Sequence, residues 1–132
     1  MDAATTQFIR QRAGNRCEYC HLPQNFSGLR FHIEHIVARQ HRGPDDADNL
    51  ALACPECNVH KGTNLTSVDP DTSKVTPLFH PRRERWTDHF TLVDGGIVGK
   101  TPPGRTTAWL LEMNTAERLR LRQRLVRLGL FT

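Results

Sequence analysis

The sequence predicts a small α+β protein whose centre is a zinc-stabilised unit of two short strands and a helix. Three observations carry this expectation. The four cysteines of the 132-residue chain fall in two C-x2-C pairs, Cys17/Cys20 and Cys54/Cys57. Between the pairs, residues 29–33 alternate apolar and polar, the period of a strand, and residues 50–53 form a short apolar run able to pair with them. After the second pair, residues 55–61 read as a helix, with Pro55 in its first turn and Gly62 as its stop.

The remaining elements follow from punctuation. Residues 4–13 read as a short helix ending near Gly14, and Gly43-Pro44-Asp45-Asp46 as a loop between the strands. Residues 63–81 hold three prolines among Thr, Ser and Asp and read as an ordered wrap or connector, followed by a brief helix over 82–90. Residues 91–98 read as a hairpin turning on Gly95-Gly96, and 105–113 are ambiguous between strand and helix. Asn114 or Thr115 caps a last helix running to Leu128 and stopped by Gly129, with Leu121, Leu125 and Leu128 at i, i+4 and i+7 as its apolar stripe. The expected organisation is one domain, 1–132, with a core at 17–62 and a C-terminal hairpin-and-helix extension at 63–132.

Composition narrows the class. Hydrophobic content of 37% and a mean hydropathy of −0.55 leave a modest core, which calls for a staple beyond apolar burial. No apolar run approaches the roughly 18 residues of a membrane span, and the first residues lack the apolar stretch of a leader, so the expectation is an intracellular, cytoplasmic protein without a membrane partner. The net charge of +4 is uneven: residues 1–60 carry six basic and seven acidic side chains, residues 61–132 twelve and seven. A basic second half and a pI near 9.2 fit a polyanion such as nucleic acid.

Two C-x2-C pairs are the spacing at which thiolates of two tight turns meet on one tetrahedral zinc. Disulfides are disfavoured in a reducing compartment, and redox pairs lack a thioredoxin-like context. Four thiolates close the coordination sphere, so this zinc is structural and any metal chemistry needs a second ion. The 33 residues between the pairs exceed the spacing of a compact zinc ribbon, which marks an insertion.

That insertion and its exit hold His32-Ile33-Glu34-His35, Asn49-Leu50 and Cys57-Asn58-Val59-His60-Lys61. With the cysteine pairs, these residues resemble the HNH endonuclease family, whose His-Me finger, or ββα-metal, core is a hairpin followed by a helix. Zinc-clamped members carry a C-x2-C, a [D/E]-H ending the first strand, an N-L opening the second and a C-x2-C-[N/H]-x2-K entering the helix. Every element is present in order over residues 17–62, with Glu34 where the family more often has Asp. Residues 77–83 and 86–90 are similar, more softly, to an extension of small bacterial stand-alone members.

The resemblance implies a metal-dependent hydrolase that cuts DNA phosphodiesters by nicking or double-strand cleavage. Elementary chemistry supports the assignments. His35, with an ordinary pKa near 6.5, suits a general base acting on water. Glu34 and the Asn58 amide oxygen are hard donors for a catalytic Mg²⁺ or Mn²⁺, with His60 as a rival ligand. By the resemblance, Asn49 holds the loop around the base. Lys61, one helical turn after Asn58, is expected at a phosphate, joined by His32, Arg39 and Arg42 as nucleic-acid contacts. Trp86 and Trp109 read as packing residues, and the terminal arginines as either a solvated rim or a DNA contact. The competing reading is a noncatalytic zinc-stabilised nucleic-acid-binding module, or a subunit of a mobile-element or defence assembly. Expected partners are DNA and either a second copy or a larger nuclease assembly.

Overall fold

In the computed structural model, which describes residues 1–131, the chain forms five α-helices, three single-turn 3-10 helices and three two-stranded antiparallel sheets. Helix α1 (Ala3–Arg12) is capped by the Asp2 carboxylate, which accepts from the Thr5 amide at 2.7 Å, and ends before Gly14 at φ 64°. It buries Ile9 and docks through two arginines. Arg10 donates to the Phe31 carbonyl (2.9 Å), and Arg12 donates to the carbonyls of Ala47 (3.0 Å) and Leu50 (2.7 Å).

The central hairpin pairs β1 (His32–His35) with β2 (Leu50–Ala53), His32 opposite Ala53 and His35 opposite Leu50. The first strand starts three residues later than its alternation predicts. Gln24 explains the shift, because its side chain occupies the Phe31 amide and the Leu29 carbonyl, both at 2.7 Å, leaving those groups unable to join a ladder. All four residues of β2 are buried. The first cysteine knuckle lies against β2, with the Glu18 amide donating to the Leu52 carbonyl and the Glu18 carboxylate accepting from the Leu52 amide, each at 2.8 Å. Helix α2 (Pro55–Lys61) follows at once, with Pro55 in its first turn and Gly62 at φ 53° ending it. This order, strand, strand, helix, is the ββα-metal arrangement.

The extension differs more from expectation. The ordered wrap expected over residues 63–81 contains a small hairpin of its own, in which β3 (Thr66–Val68) pairs with β4 (Val75–Pro77). Strands of three residues with little apolar alternation leave no period to read. Fully buried Asp69 ties this hairpin to the helix over Pro102–Leu110 through Arg105, at 2.8 and 3.2 Å.

Helix α3 is only Trp86–His89 and runs directly into β5 (Phe90–Val93), which pairs with β6 (Gly96–Gly99). The turn uses Asp94 (φ 50°) and Gly95 (φ 81°), so Gly96 already belongs to the strand and the Gly-Gly expectation is off by one residue. The ambiguous stretch resolves as helix α4 (Pro102–Leu110), capped by Thr101. Gly104 lets α4 lie on the chain below it, since a β-carbon there would stand 2.1 Å from the His89 carbonyl oxygen. Helix α5 (Ala116–Arg127) is capped by Thr115 and ends before Gly129.

The inward face of α5 corrects the leucine stripe. Leu125 is buried, but Leu128 is 63% exposed, and the residues that join Leu125 inside are Arg118 and Arg122. Their guanidinium groups find acceptors no leucine could satisfy. Arg122 donates to the Gly95 carbonyl (2.7 Å) and to the Asn114 side chain (2.7 Å), which itself clasps Ile97 of β6. Among the described residues, no helix is long and apolar enough to cross a membrane.

Candidate functional site: a cysteine centre and an open depression on one hairpin-helix unit

Cys17 and Cys20 come from the knuckle before the hairpin, Cys54 from the N-cap of α2 just after β2 and Cys57 from the first turn of α2. All four are buried, and their sulfur atoms lie within 4.8 Å of one another, the one such cluster among the described residues. Zinc–thiolate bonds of about 2.3 Å in a tetrahedron separate sulfurs by about 3.8 Å. The Cys20 and Cys54 sulfurs are 3.7 Å apart, so this donor set fits a structural zinc closed to solvent. Arg118 reaches the centre from α5, its Nη2 3.0 Å from Cys57 Sγ and 3.7 Å from Cys54 Sγ. Burial alone would pull the guanidinium pKa down, but the surrounding thiolates hold it above its ordinary value.

On another face of the same unit, Glu34, His35 and Asn58 line one open depression of about 510 Å³, with Ala38, Arg39 and Gly62 at its walls. His35 Nε2 is 2.7 Å from Asp45 Oδ1, and the same oxygen takes Arg39 Nη2 at 3.1 Å. His35 and Arg39 hold the Asp45 carboxyl below its usual range. With ionised Asp45 as acceptor, Nε2 is the donor. The middle asparagine is a clasp. Asn49 Oδ1 accepts from the Val37 amide (2.9 Å), while its Nδ2 donates to the carbonyls of Val37 (2.9 Å) and Pro44 (2.8 Å), closing the loop that carries Asp45.

Two assignments change. Lys61 does not face solvent: it is 2% exposed, with Nζ 3.1 Å from Glu34 Oε2 and 2.9 Å from the Ile36 carbonyl. A phosphate cannot reach it, because α2 packs its last turn onto the end of β1. Glu34 is likewise engaged, its other oxygen accepting a short hydrogen bond from the Tyr19 hydroxyl. Burial raises the Glu34 pKa, and Lys61, then Tyr19, act against that rise. A hard divalent ion in the depression is therefore offered the Asn58 amide and a carboxylate whose two oxygens already have partners. The fit is partial.

His32 and Arg42 are exposed but lie outside the depression, while exposed Arg39 stands at its wall. His60 is 3.0 Å from Glu112 and does not join Asn58. His89 bridges Glu84 and Thr101, and His80 accepts from the amides of Arg82 and Arg83, roles internal to the extension. Trp86 packs as expected, donating to the Tyr19 carbonyl and stacking on His21, but Trp109 is 68% exposed. Sequence reasoning missed Tyr19, Asp45 and Arg118. Their only signals were a tyrosine inside the first C-x2-C, an acidic pair in the inter-strand loop and one arginine among five.

The fold and the cysteine centre define a zinc-stabilised, nuclease-like module. Residues 17–64 match the family model described as HNH endonuclease, which supports an HNH-type fold for this segment. The chain is also similar to Septu protein PtuB of Bacillus thuringiensis, 25% identical over 114 residues that cover 84% of this chain and 41% of that protein. The chain thus spans about two-fifths of that relative's length. No solved structure gives a significant match.

Proposed function

We propose that the protein is a metal-dependent HNH endonuclease that hydrolyses DNA phosphodiester bonds, leaving 5′-phosphate and 3′-hydroxyl ends. The observation that carries this reading is the convergence of Glu34, His35 and Asn58, drawn from β1 and α2, on one open depression. His35 is the general base: its neutral ring takes a proton from the attacking water, and Asp45 sets the tautomer and ring orientation. Asn58, with Glu34 once released from Lys61, would hold Mg²⁺ or Mn²⁺. When bound, that ion would neutralise charge at a phosphate oxygen and at the leaving 3′ oxygen. Lys61 braces the backbone behind His35 and does not touch substrate. Exposed Arg39 and Arg42 remain the candidate phosphate contacts beside the site.

One observation favours a second reading. Because both Glu34 oxygens are held inside the protein, a noncatalytic zinc-stabilised nucleic-acid-binding module, working alone or within a larger assembly, needs no rearrangement at all. Incubating the purified protein with supercoiled plasmid, with and without Mg²⁺ or Mn²⁺, separates the two. Ion-dependent nicked or linear product is expected. Retained plasmid binding without cleavage in either ion would overturn the endonuclease in favour of the binding module.

A further inference from the structure

Four thiolates around one Zn²⁺ leave two uncompensated negative charges in a buried site, an expensive arrangement unless a cation or hydrogen-bond donors stand close. Arg118 is that cation. It is 7% exposed, and its fork divides between two neighbours: Nη2 reaches Cys57 Sγ at 3.0 Å and Cys54 Sγ at 3.7 Å, while Nη1 donates to the carbonyls of Leu111 (2.7 Å) and Glu112 (3.1 Å) just after α4. Nε lies 3.5 Å from Glu56 on α2. One planar side chain thus joins the second cysteine knuckle, the end of α4 and the body of α5. Leucine, methionine or lysine could not supply these directed donors together.

We infer that Arg118 is a working part of the zinc centre, supplying its counter-charge, and that zinc retention and the docking of α5 are one linked equilibrium. Zinc bound in the tetrad rewards burial of the guanidinium. With zinc removed, the four sulfurs are no longer held in one tetrahedron, so the acceptors that direct Nη2 are free to scatter and α5 loses that anchor. Linkage makes the effect reciprocal: whatever zinc contributes to docking α5, docked α5 contributes to holding zinc. The C-terminal extension is therefore coupled to the HNH-type domain through the metal centre, 61 residues along the chain from Cys57.

The test uses the full chain and zinc itself. Arg118→Met should release zinc to a competing metallochromic chelator with affinity lower by about 10–100-fold, the usual size of an outer-shell loss. Arg118→Lys, which keeps charge but not the fork, should fall between, and Arg120→Ala, exposed on the same helix, should match wild type. A folded Arg118→Met protein that holds zinc as tightly as wild type overturns the inference. Hydrogen exchange on wild-type protein gives a second decision if that variant does not fold. As chelator is titrated, residues 116–127 should lose protection at a lower concentration than the 90–99 hairpin; protection of 116–127 that persists until the hairpin also opens overturns the coupling.

Discussion

Cys57 and Asn58 are neighbours in sequence and serve two regions that share one helix and almost nothing else. Cys57 belongs to a closed centre in which every sulfur is buried and a guanidinium from a distant helix supplies charge. Asn58 belongs to an open depression whose polar groups meet solvent on one side and a buried Tyr19–Glu34–Lys61 network on the other. Successive helical residues point about 100° apart, so a single turn of α2 addresses both. The difference teaches that this unit keeps its stability on one face and its proposed chemistry on another. Variants should therefore sort by face.

The sharpest break is at the cysteines. Cys57→Ser should lose zinc and unfold the module, because structural zinc supplies on the order of 10–16 kcal/mol of apparent binding energy, as much as a whole domain's stability. Elemental analysis beside circular dichroism checks this, and a folded, zinc-free protein would count against it. On the other face, His35→Ala should lower plasmid cleavage by roughly 10²–10⁴-fold while leaving the denaturation midpoint and DNA binding almost unchanged. Cleavage at near wild-type rate would remove His35 as the base.

Lys61 lies between the two outcomes. Lys61→Met strands a buried Glu34 carboxylate and should cost about 3–5 kcal/mol in chemical denaturation, with much of that recovered when Glu34→Gln is added. Unchanged stability in the single variant would return Lys61 to the surface role its spacing suggested. Asp45→Asn should slow cleavage less than His35→Ala, since it loosens the ring without removing it; an unchanged rate would make the contact incidental. The smallest effect belongs to the extension. Arg105, hydrogen-bonded to Asp69, holds that carboxyl below its ordinary range. The stability from this pair is thus complete above the ordinary carboxylate pKa and is lost as pH falls through the lowered one. Denaturation midpoints of Asp69→Asn followed below pH 5 should show a shallower acid decline than wild type.

Much was readable because it is local. C-x2-C spacing, the Pro55 start and Gly62 stop of α2, the 90–99 hairpin and the Thr115 cap depend on a few adjacent residues, and the structure agrees on each apart from strand boundaries and the turn register. The grouping of Glu34, His35 and Asn58 was legible too, since paired strands and a helix begun at a metal ligand leave them little freedom to separate. The three-residue strands β3 and β4 carried no period and stayed hidden.

What only tertiary structure decided is where the long charged side chains end. Spacing puts Lys61 one turn from Asn58, yet its four-carbon stem folds inward because Glu34 and two carbonyls wait beneath it. Arg118 and Arg122 sit in a run of arginines whose pattern suggests a solvated rim, yet thiolates and open carbonyls of other elements draw both inside. The physical reason is common to all three. Backbone geometry is set by neighbours in sequence, whereas a flexible charged side chain takes its direction from the strongest acceptor within reach, and those acceptors come from parts of the chain that are adjacent only after folding.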